Sequence, residues 1–310
     1  VSKVALEQAV VSPVTRPGTA RVWLSAARPA TLAASLAPVI AGTALAERDG
    51  GARWLPALAA LAGAVLIQLG TNLHNDAADH ERGADGPERL GPPRATALGW
   101  LDRATVRRAA VLAFALALVP GAYLGLVGGW PILALGVVSI ACGVLYTGGP
   151  FPLAYVGLGE VFVIAFFGVA AVAGTHFVQR GPSFGVSLDA VLVGVALGLV
   201  ASAILAVNNL RDRVGDARAN KRTLVVRFGE RFARVEHALC LLAPFAVFVG
   251  LYAQSAWTGW LLPLVALPLA VRELVLVRRK DGRALNPHLG GAARVELALA
   301  LLLALGVAIA

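Results

Sequence analysis

Apolar runs long enough to cross a bilayer recur along nearly the whole chain, near 23–46, 54–73, 104–126, 130–146, 158–178, 188–208, 232–253, 257–277 and 291–310. About 20 such residues span a hydrocarbon core of ~30 Å as a helix, so the pattern predicts nine transmembrane crossings. Connections as short as Gly128-Gly129 and Gln254-Ser255 force antiparallel neighbours. Polar residues gather instead in the N-terminal segment and after spans two, six and eight. Residues 1–20 lack the long apolar core of a secretory signal and are expected to form a mobile leader, with residues 21–310 as one transmembrane domain. The alternating runs of about ten residues that mark outer-membrane barrels are absent, which leaves an all-α polytopic membrane fold.

Composition sharpens this. Of 310 residues 58% are hydrophobic and 15% charged, far too apolar for a water-soluble globule or a disordered chain. Of the 27 Lys and Arg, 24 fall in the leader, the three polar loops and their flanking turns; Arg48, Arg53 and Arg180 are the others. By the positive-inside rule the N-terminus and the large loops are expected in the cytoplasm and the C-terminus outside, in a multi-pass protein of the cell (cytoplasmic) membrane. The net charge of +9 is therefore first a topology signal. These charges flank membrane helices instead of forming one basic, aromatic-laced surface, so membrane lipid and not nucleic acid is the expected partner. Cys142 and Cys240 lie inside apolar runs and are expected to be buried free thiols.

Two of the basic loops also carry acids. Span two ends in Asn72-Leu-His-Asn75-Asp76-Ala-Ala-Asp79-His-Glu-Arg82-Gly-Ala-Asp85, and span six in Asn208-Asn209-Leu-Arg211-Asp212-Arg-Val-Gly-Asp216-Ala-Arg218-Ala-Asn-Lys221-Arg222. Both contain N-x-x-x-D. At about 100° per residue, Asn72, Asp76 and Asp79 share one helix face and Asn208, Asp212 and Asp216 share another. Carboxylates stacked one turn apart repel unless a cation neutralises them. Two such clusters face to face suit Mg²⁺, which takes oxygen ligands and completes its shell with substrate phosphates and water. The repetition suggests two similar four-helix units, about 21–150 and 151–280, with the ninth helix about 291–310 appended and a site between the halves. Interleaved bases, Arg82, Arg211, Arg218, Lys221 and Arg222, are candidates for diphosphate oxygens. Lys221 stands out because the chain uses Lys only three times.

At these residues the sequence resembles the UbiA superfamily of intramembrane prenyltransferases, whose paired Asp-rich motifs lie on the second and sixth of nine helices. Within it the chain is most similar to the 1,4-dihydroxy-2-naphthoate polyprenyltransferase (MenA) family of menaquinone biosynthesis. Trp23 to Ala44 is similar to that family's first helix, except that Ala30 stands where a Lys is usual. The Asn72–Gly99 stretch, with D-x-x-D at Asp76 and Asp79, resembles its first motif. Tyr146-Thr-Gly-Gly-Pro150 to Glu160 and Asn208 to Val226 complete the likeness.

The resemblance implies that Asp76, Asp79, Asp212 and Asp216 bind two Mg²⁺ ions bridging the diphosphate of a polyprenyl donor, supported by Asn72 and Asn208. It further implies that Asp85 helps with metal or acceptor, that Lys221 and Arg82 contact diphosphate, and that Tyr146 lies near the donor's reacting carbon. Glu160, at the start of span five, is a candidate for the acceptor or its proton. Phe162, Phe166, Phe167, Tyr146 and Tyr155 are candidate shields of an allylic cation from water. The expected reaction is prenyl transfer to 1,4-dihydroxy-2-naphthoate with loss of carbon dioxide and diphosphate, giving demethylmenaquinol. Two alternatives stay open: a UbiA-type enzyme for another aromatic acceptor, and a cation-coupled transporter, against which the position of the acids at helix ends argues.

Overall fold

A computed structural model describes residues 17–83 and 89–310. Among them there is no strand, and every predicted apolar run is helical. Seven of these helices are long and apolar enough to cross a membrane: Trp54–Glu81, Arg103–Gly128, Gly159–Arg180, Leu188–Arg218, Leu224–Ser255, Thr258–Val277 and Gly282–Ile309. The protein is thus an all-α, multi-pass membrane protein. The apolar helices Pro29–Arg48 (α2) and Trp130–Leu145 (α5) accompany them, α5 being short at 16 residues.

The first predicted run is not one helix. Thr19–Ala27 (α1) stops at Arg28, which takes a left-handed φ of 53°, and α2 starts at Pro29. Proline has no N–H to continue the ladder of α1 and is suited to a first helical position. Elsewhere side chains start the helices. Asp102 accepts the Thr105 amide at the head of Arg103–Gly128 (α4), and Ser187 accepts that of Ala190 before Leu188–Arg218 (α8). Thr223 does the same for Val226 before Leu224–Ser255 (α9). Inside α9 the chain kinks at Gly229, φ 83°, so the apolar part begins beyond the kink, as the pattern predicts. The stretch after Trp257 opens as a 3₁₀ helix, Thr258–Ala266, before Leu267–Val277 (α10). Pro263 and Pro268 lack the donors an α-helix needs there.

Around α8 the core is built. Leu197, Val200, Leu241, Phe248, Trp260, Leu299 and Leu303 pack there from α8, α9, the 3₁₀ segment and Asn286–Ile309 (α11), with Leu45 of α2. Gly159–Val163 (α6), the π-helical turn Ile164–Ala170 and Ala171–Arg180 (α7) form one rod against α8. A Cβ on Gly168 would overlap the Gly194 carbonyl, and one on Gly198 would meet the Ile164 backbone, so absent side chains let these two backbones touch. At the end remote from the basic loops, Arg48 bonds Asp49 and Asp189, each at 2.8 Å, and stacks over Trp260 at 4.8 Å. These contacts tie α2 to α8 and to the 3₁₀ segment at that end.

Trp54–Glu81 (α3) and α8 have 28 and 31 residues, roughly 42 and 46 Å at ~1.5 Å per residue. Both outrun a core of ~30 Å. Their last turns, which carry the two acidic motifs, stand at the basic end of the bundle.

Candidate functional site

On α3 the two possible N-x-x-x-D registers part company. Asp76 is 1% exposed and faces the loop after the helix. It accepts from Thr96 Oγ1 at 2.5 Å and from the Ala95 amide at 3.3 Å. Asn72, on the same face, donates through Nδ2 to the Ala27 carbonyl and to Thr31, each at 2.9 Å, and so fastens the α1–α2 break. Asn75 and Asp79 instead line a polar cavity of about 660 Å³. Asp79 accepts from Arg94 at 2.9 Å and from the Tyr155 hydroxyl at 3.1 Å, and Asn75 Oδ1 accepts from Thr147 at 2.6 Å. The expected trio is therefore divided: Asp79 reaches the cavity, and Asp76 and Asn72 do not reach its polar part. Asn75 was missed, although its spacing to Asp79 is the same N-x-x-x-D. Asp85 lies outside the described residues.

The α8 motif behaves as its spacing predicts. Asn208, Asp212 and Asp216 line the same polar cavity, facing Asp79 across it. Both Asp212 oxygens accept from Arg211, at 2.9 and 2.5 Å, and Asn208 Oδ1 accepts from the same guanidinium at 2.5 Å. Arg211 is only 1% exposed and also donates to Asn286 at the head of α11, whose Nδ2 donates to the Leu90 carbonyl. This arginine, one of several candidates in the sequence, thereby ties α8, α11 and the loop after α3 together. Beyond α8 the chain reverses at Asn220, φ 54°, which brings the Lys221 amide to the Asp216 carbonyl at 2.8 Å. Asn tolerates that left-handed conformation. Lys221 Nζ then lies 3.4 Å from Asp216 Oδ1, while Asp216 Oδ2 is buried with no hydrogen-bond partner.

Burial alone would discharge Lys221, yet the carboxylates of Asp216, Asp79 and Asp212 outweigh it and hold its pKa above the ordinary lysine value. Burial together with the Asp79 charge pushes the Tyr155 phenol up, so it stays a donor. Arg82 also reaches this cavity, stacks on the Tyr155 ring at 5.2 Å and donates to the Gly149 carbonyl at 2.6 Å. Arg222 does not line it: its side chain is exposed and its amide bonds the Tyr155 carbonyl at 3.0 Å. Tyr155 thus serves the acidic cluster, where the sequence suggested an apolar wall.

Next to the polar cavity lies an apolar one of about 730 Å³, lined by Ile67, Leu133, Phe162, Phe166 and Phe167 among others. Phe162 and Phe166 stack at 5.9 Å. Tyr146, Asn75 and Asn208 belong to both walls. Glu160 lies on the polar side of this junction. Cys142 and Cys240 are free thiols, and His176 pairs with Asp49 at the opposite end of the bundle.

Among the described residues no three His, Cys, Asp or Glu side chains come together closely enough to hold a metal ion by themselves. The oxygens of Asp79, Asp212 and Asp216 stand on cavity walls, each beside a cation, with the Asp216 Oδ2 lone pairs unspent. Such a donor set fits a hard divalent ion that takes its other ligands from a bound phosphate. An elongated ligand with an anionic, metal-chelating head and an apolar body matches the two joined cavities.

Comparison with known proteins agrees with this architecture. A profile of the UbiA prenyltransferase family matches residues 35–309. The 1,4-dihydroxy-2-naphthoate octaprenyltransferase of Escherichia coli strain K12 is 38% identical over 298 residues, covering 93% of this chain and 95% of its own. The protein of the same description from Mycobacterium tuberculosis is 40% identical over 270 residues, covering 86% and 90%. Among solved structures, an apo UbiA homologue from Aeropyrum pernix superposes with a TM-score of 0.68 at 14% identity, covering 90% of this chain and 97% of that one. A homologue from Archaeoglobus fulgidus bound to DMAPP and Mg²⁺ gives 0.63 at 13%, covering 93% and 99%.

Proposed function

This chain belongs to the UbiA prenyltransferase family, and from that premise we propose that it transfers a polyprenyl group from polyprenyl diphosphate to 1,4-dihydroxy-2-naphthoate in menaquinone biosynthesis. Carbon dioxide and diphosphate leave, and demethylmenaquinol forms. The observation that carries the reading is the junction of an acid-and-lysine cavity with an aromatic-lined one at Tyr146, Asn75 and Asn208. The naphthoate acceptor is supported by relatives of that description at 38% and 40% identity over most of the chain.

Asp79, Asp212 and Asp216 would hold Mg²⁺, two ions in this reading, with Asn75 and Asn208 lining the same wall. When bound, such ions would supply charge neutralisation for diphosphate oxygens. Lys221 and Arg82 bind and orient the diphosphate, and Lys221 stays cationic beside it. Phe162, Phe166 and Phe167 keep water from the allylic carbon, and Tyr146 stands where the head of the donor meets its tail. Asp76 acts at one remove, by anchoring the loop that carries Arg94 against Asp79. Asp85 retains its proposed place in the first motif, and Arg222 serves the turn that presents Lys221.

We read the basic end of the bundle as cytoplasmic, with nine crossings once α2 and α5 are counted, in the cell membrane. The test is a radiolabelled prenyl-transfer assay on purified protein with polyprenyl diphosphate, Mg²⁺ and either 1,4-dihydroxy-2-naphthoate or 4-hydroxybenzoate. Product from the naphthoate alone, with released carbon dioxide, is expected. Product from the benzoate alone would retain prenyl transfer but overturn the acceptor, and no product from either would turn attention to ion flux.

A further inference from the structure

Glu160 lies in the first turn of α6 and is 7% exposed in the wall of the polar cavity. Two residues of α8 fix it. Asn209 Nδ2 donates to its Oε1 at 3.0 Å, and Ser202 Oγ donates to its main-chain carbonyl at 3.4 Å. Asn209 follows Asn208 directly, yet it turns to α6 while its neighbour turns to Arg211. The preceding residue is Gly159, where an added methyl would stand 3.1 Å from the Tyr146 hydroxyl. Beyond Glu160 along the same rod, Phe162, Val163, Phe166 and Phe167 line the apolar cavity. A buried, oriented carboxylate therefore stands where the anion-binding space gives way to the apolar one. With the donor diphosphate at Lys221 and its tail among the phenylalanines, the reacting carbon and the acceptor ring meet at this level.

Resting on the naphthoate reading above, the geometry points to Glu160 as the catalytic base for the acceptor hydroxyl, with Asn209 as the residue that positions it. The hydroxyl on the ring carbon next to the one bearing the carboxylate gives its proton to Glu160. The carboxylate-bearing ring carbon bonds to C1 of the prenyl group, and the C1–O bond breaks with its electron pair leaving on diphosphate. The deprotonated oxygen becomes a ketone, and the adduct is a β-keto acid. Loss of carbon dioxide sends the C–C bonding pair through the ring to that ketone oxygen, which takes the proton back from Glu160. The carboxylate is regenerated, and neither oxidant nor external acid is consumed.

The experiment is steady-state kinetics of wild type, Glu160→Gln, Glu160→Asp, Asn209→Ala and the Glu160→Gln/Asn209→Ala double variant, with both substrates varied. Glu160→Gln keeps an acceptor oxygen for Asn209 and removes the base. Its kcat is expected to fall by about 10²–10⁴-fold with the donor KM unchanged, and Glu160→Asp to recover at least about tenfold of that loss. Asn209→Ala should lower kcat by about tenfold alone and add nothing to Glu160→Gln, because a positioning residue has no effect once its target is gone. A Gln variant with wild-type kcat, a loss confined to the acceptor KM, Asp no better than Gln, or additive effects in the double variant would each overturn the proposal. Should the Gln variant not fold, Asn209→Ala decides, since an unchanged kcat overturns it. A wild-type enzyme making no prenylated naphthoate would instead overturn the substrate reading, and the proton transfer with it.

Discussion

Asp76 and Asp79 lie three residues apart on one helix and have opposite surroundings, a hydroxyl and an amide for the first and the cavity for the second. Asp79→Ala or Asp212→Ala should therefore cut turnover by at least about 10²-fold, a loss typical when a charge-stabilising group is removed. Asp76→Asn, which unbalances a buried hydrogen-bonded carboxylate, should instead cost about 1–3 kcal/mol of stability and reduce turnover far less. Thermal unfolding in detergent alongside the prenyl-transfer assay separates the two, and equal losses of turnover would restore Asp76 to the metal site. At Lys221 the folded pKa is raised, so its charge is complete below the ordinary value of about 10.4 and is lost only as the pH rises through the higher folded value. Lys221→Met, which removes the cation beside Asp216 in the polar cavity, should raise the donor KM by about tenfold or more. Nothing in the spacing alone chose between Asn72-x-x-x-Asp76 and Asn75-x-x-x-Asp79. That choice depends on which face the following loop covers, and the loop is a tertiary contact.

Helices that outrun the bilayer are what bring the acids to the basic end, and their existence was legible because α3 and α8 keep their apolar pattern up to the motifs. Their pairing was legible less well. The contact of α8 with the π-helical turn depends on Gly168, Gly194 and Gly198 lying opposite one another, and single glycines in apolar runs are too common in membrane helices to mark it. Gly198→Leu should force the two backbones apart and destabilise the protein by about 1–3 kcal/mol, read as a lowered unfolding temperature in detergent. The same change would disturb the wall that Phe162 and Phe166 build, so turnover should fall with it. The break at Arg28 was readable in principle from Pro29, and the long apolar average hid it.

Over the whole molecule, one end of the bundle is tied by Arg48 to Asp49, Asp189 and Trp260, and the other holds the joined cavities. Chelation should abolish turnover and Mg²⁺ should restore it, whereas a rate indifferent to chelator would remove the metal from the reading. With Cys142 and Cys240 replaced, Arg279→Cys should react with an impermeant maleimide from the cytoplasmic side and Ser183→Cys only from the other; the reverse pattern would invert the orientation. Hydropathy and charge by themselves determined the all-α membrane class, the positions of the apolar helices and the presence of two acidic helix ends, because the bilayer imposes length and polarity rules that act on each segment separately. Tertiary structure alone decided that Asn75 and Asp79 face Asp212 and Asp216, that Asp76 and Tyr155 serve other partners, and that Asn209 holds Glu160 at the cavity junction. Those outcomes depend on how helices rotate and where loops fold back, which is settled by contacts between residues far apart in the chain.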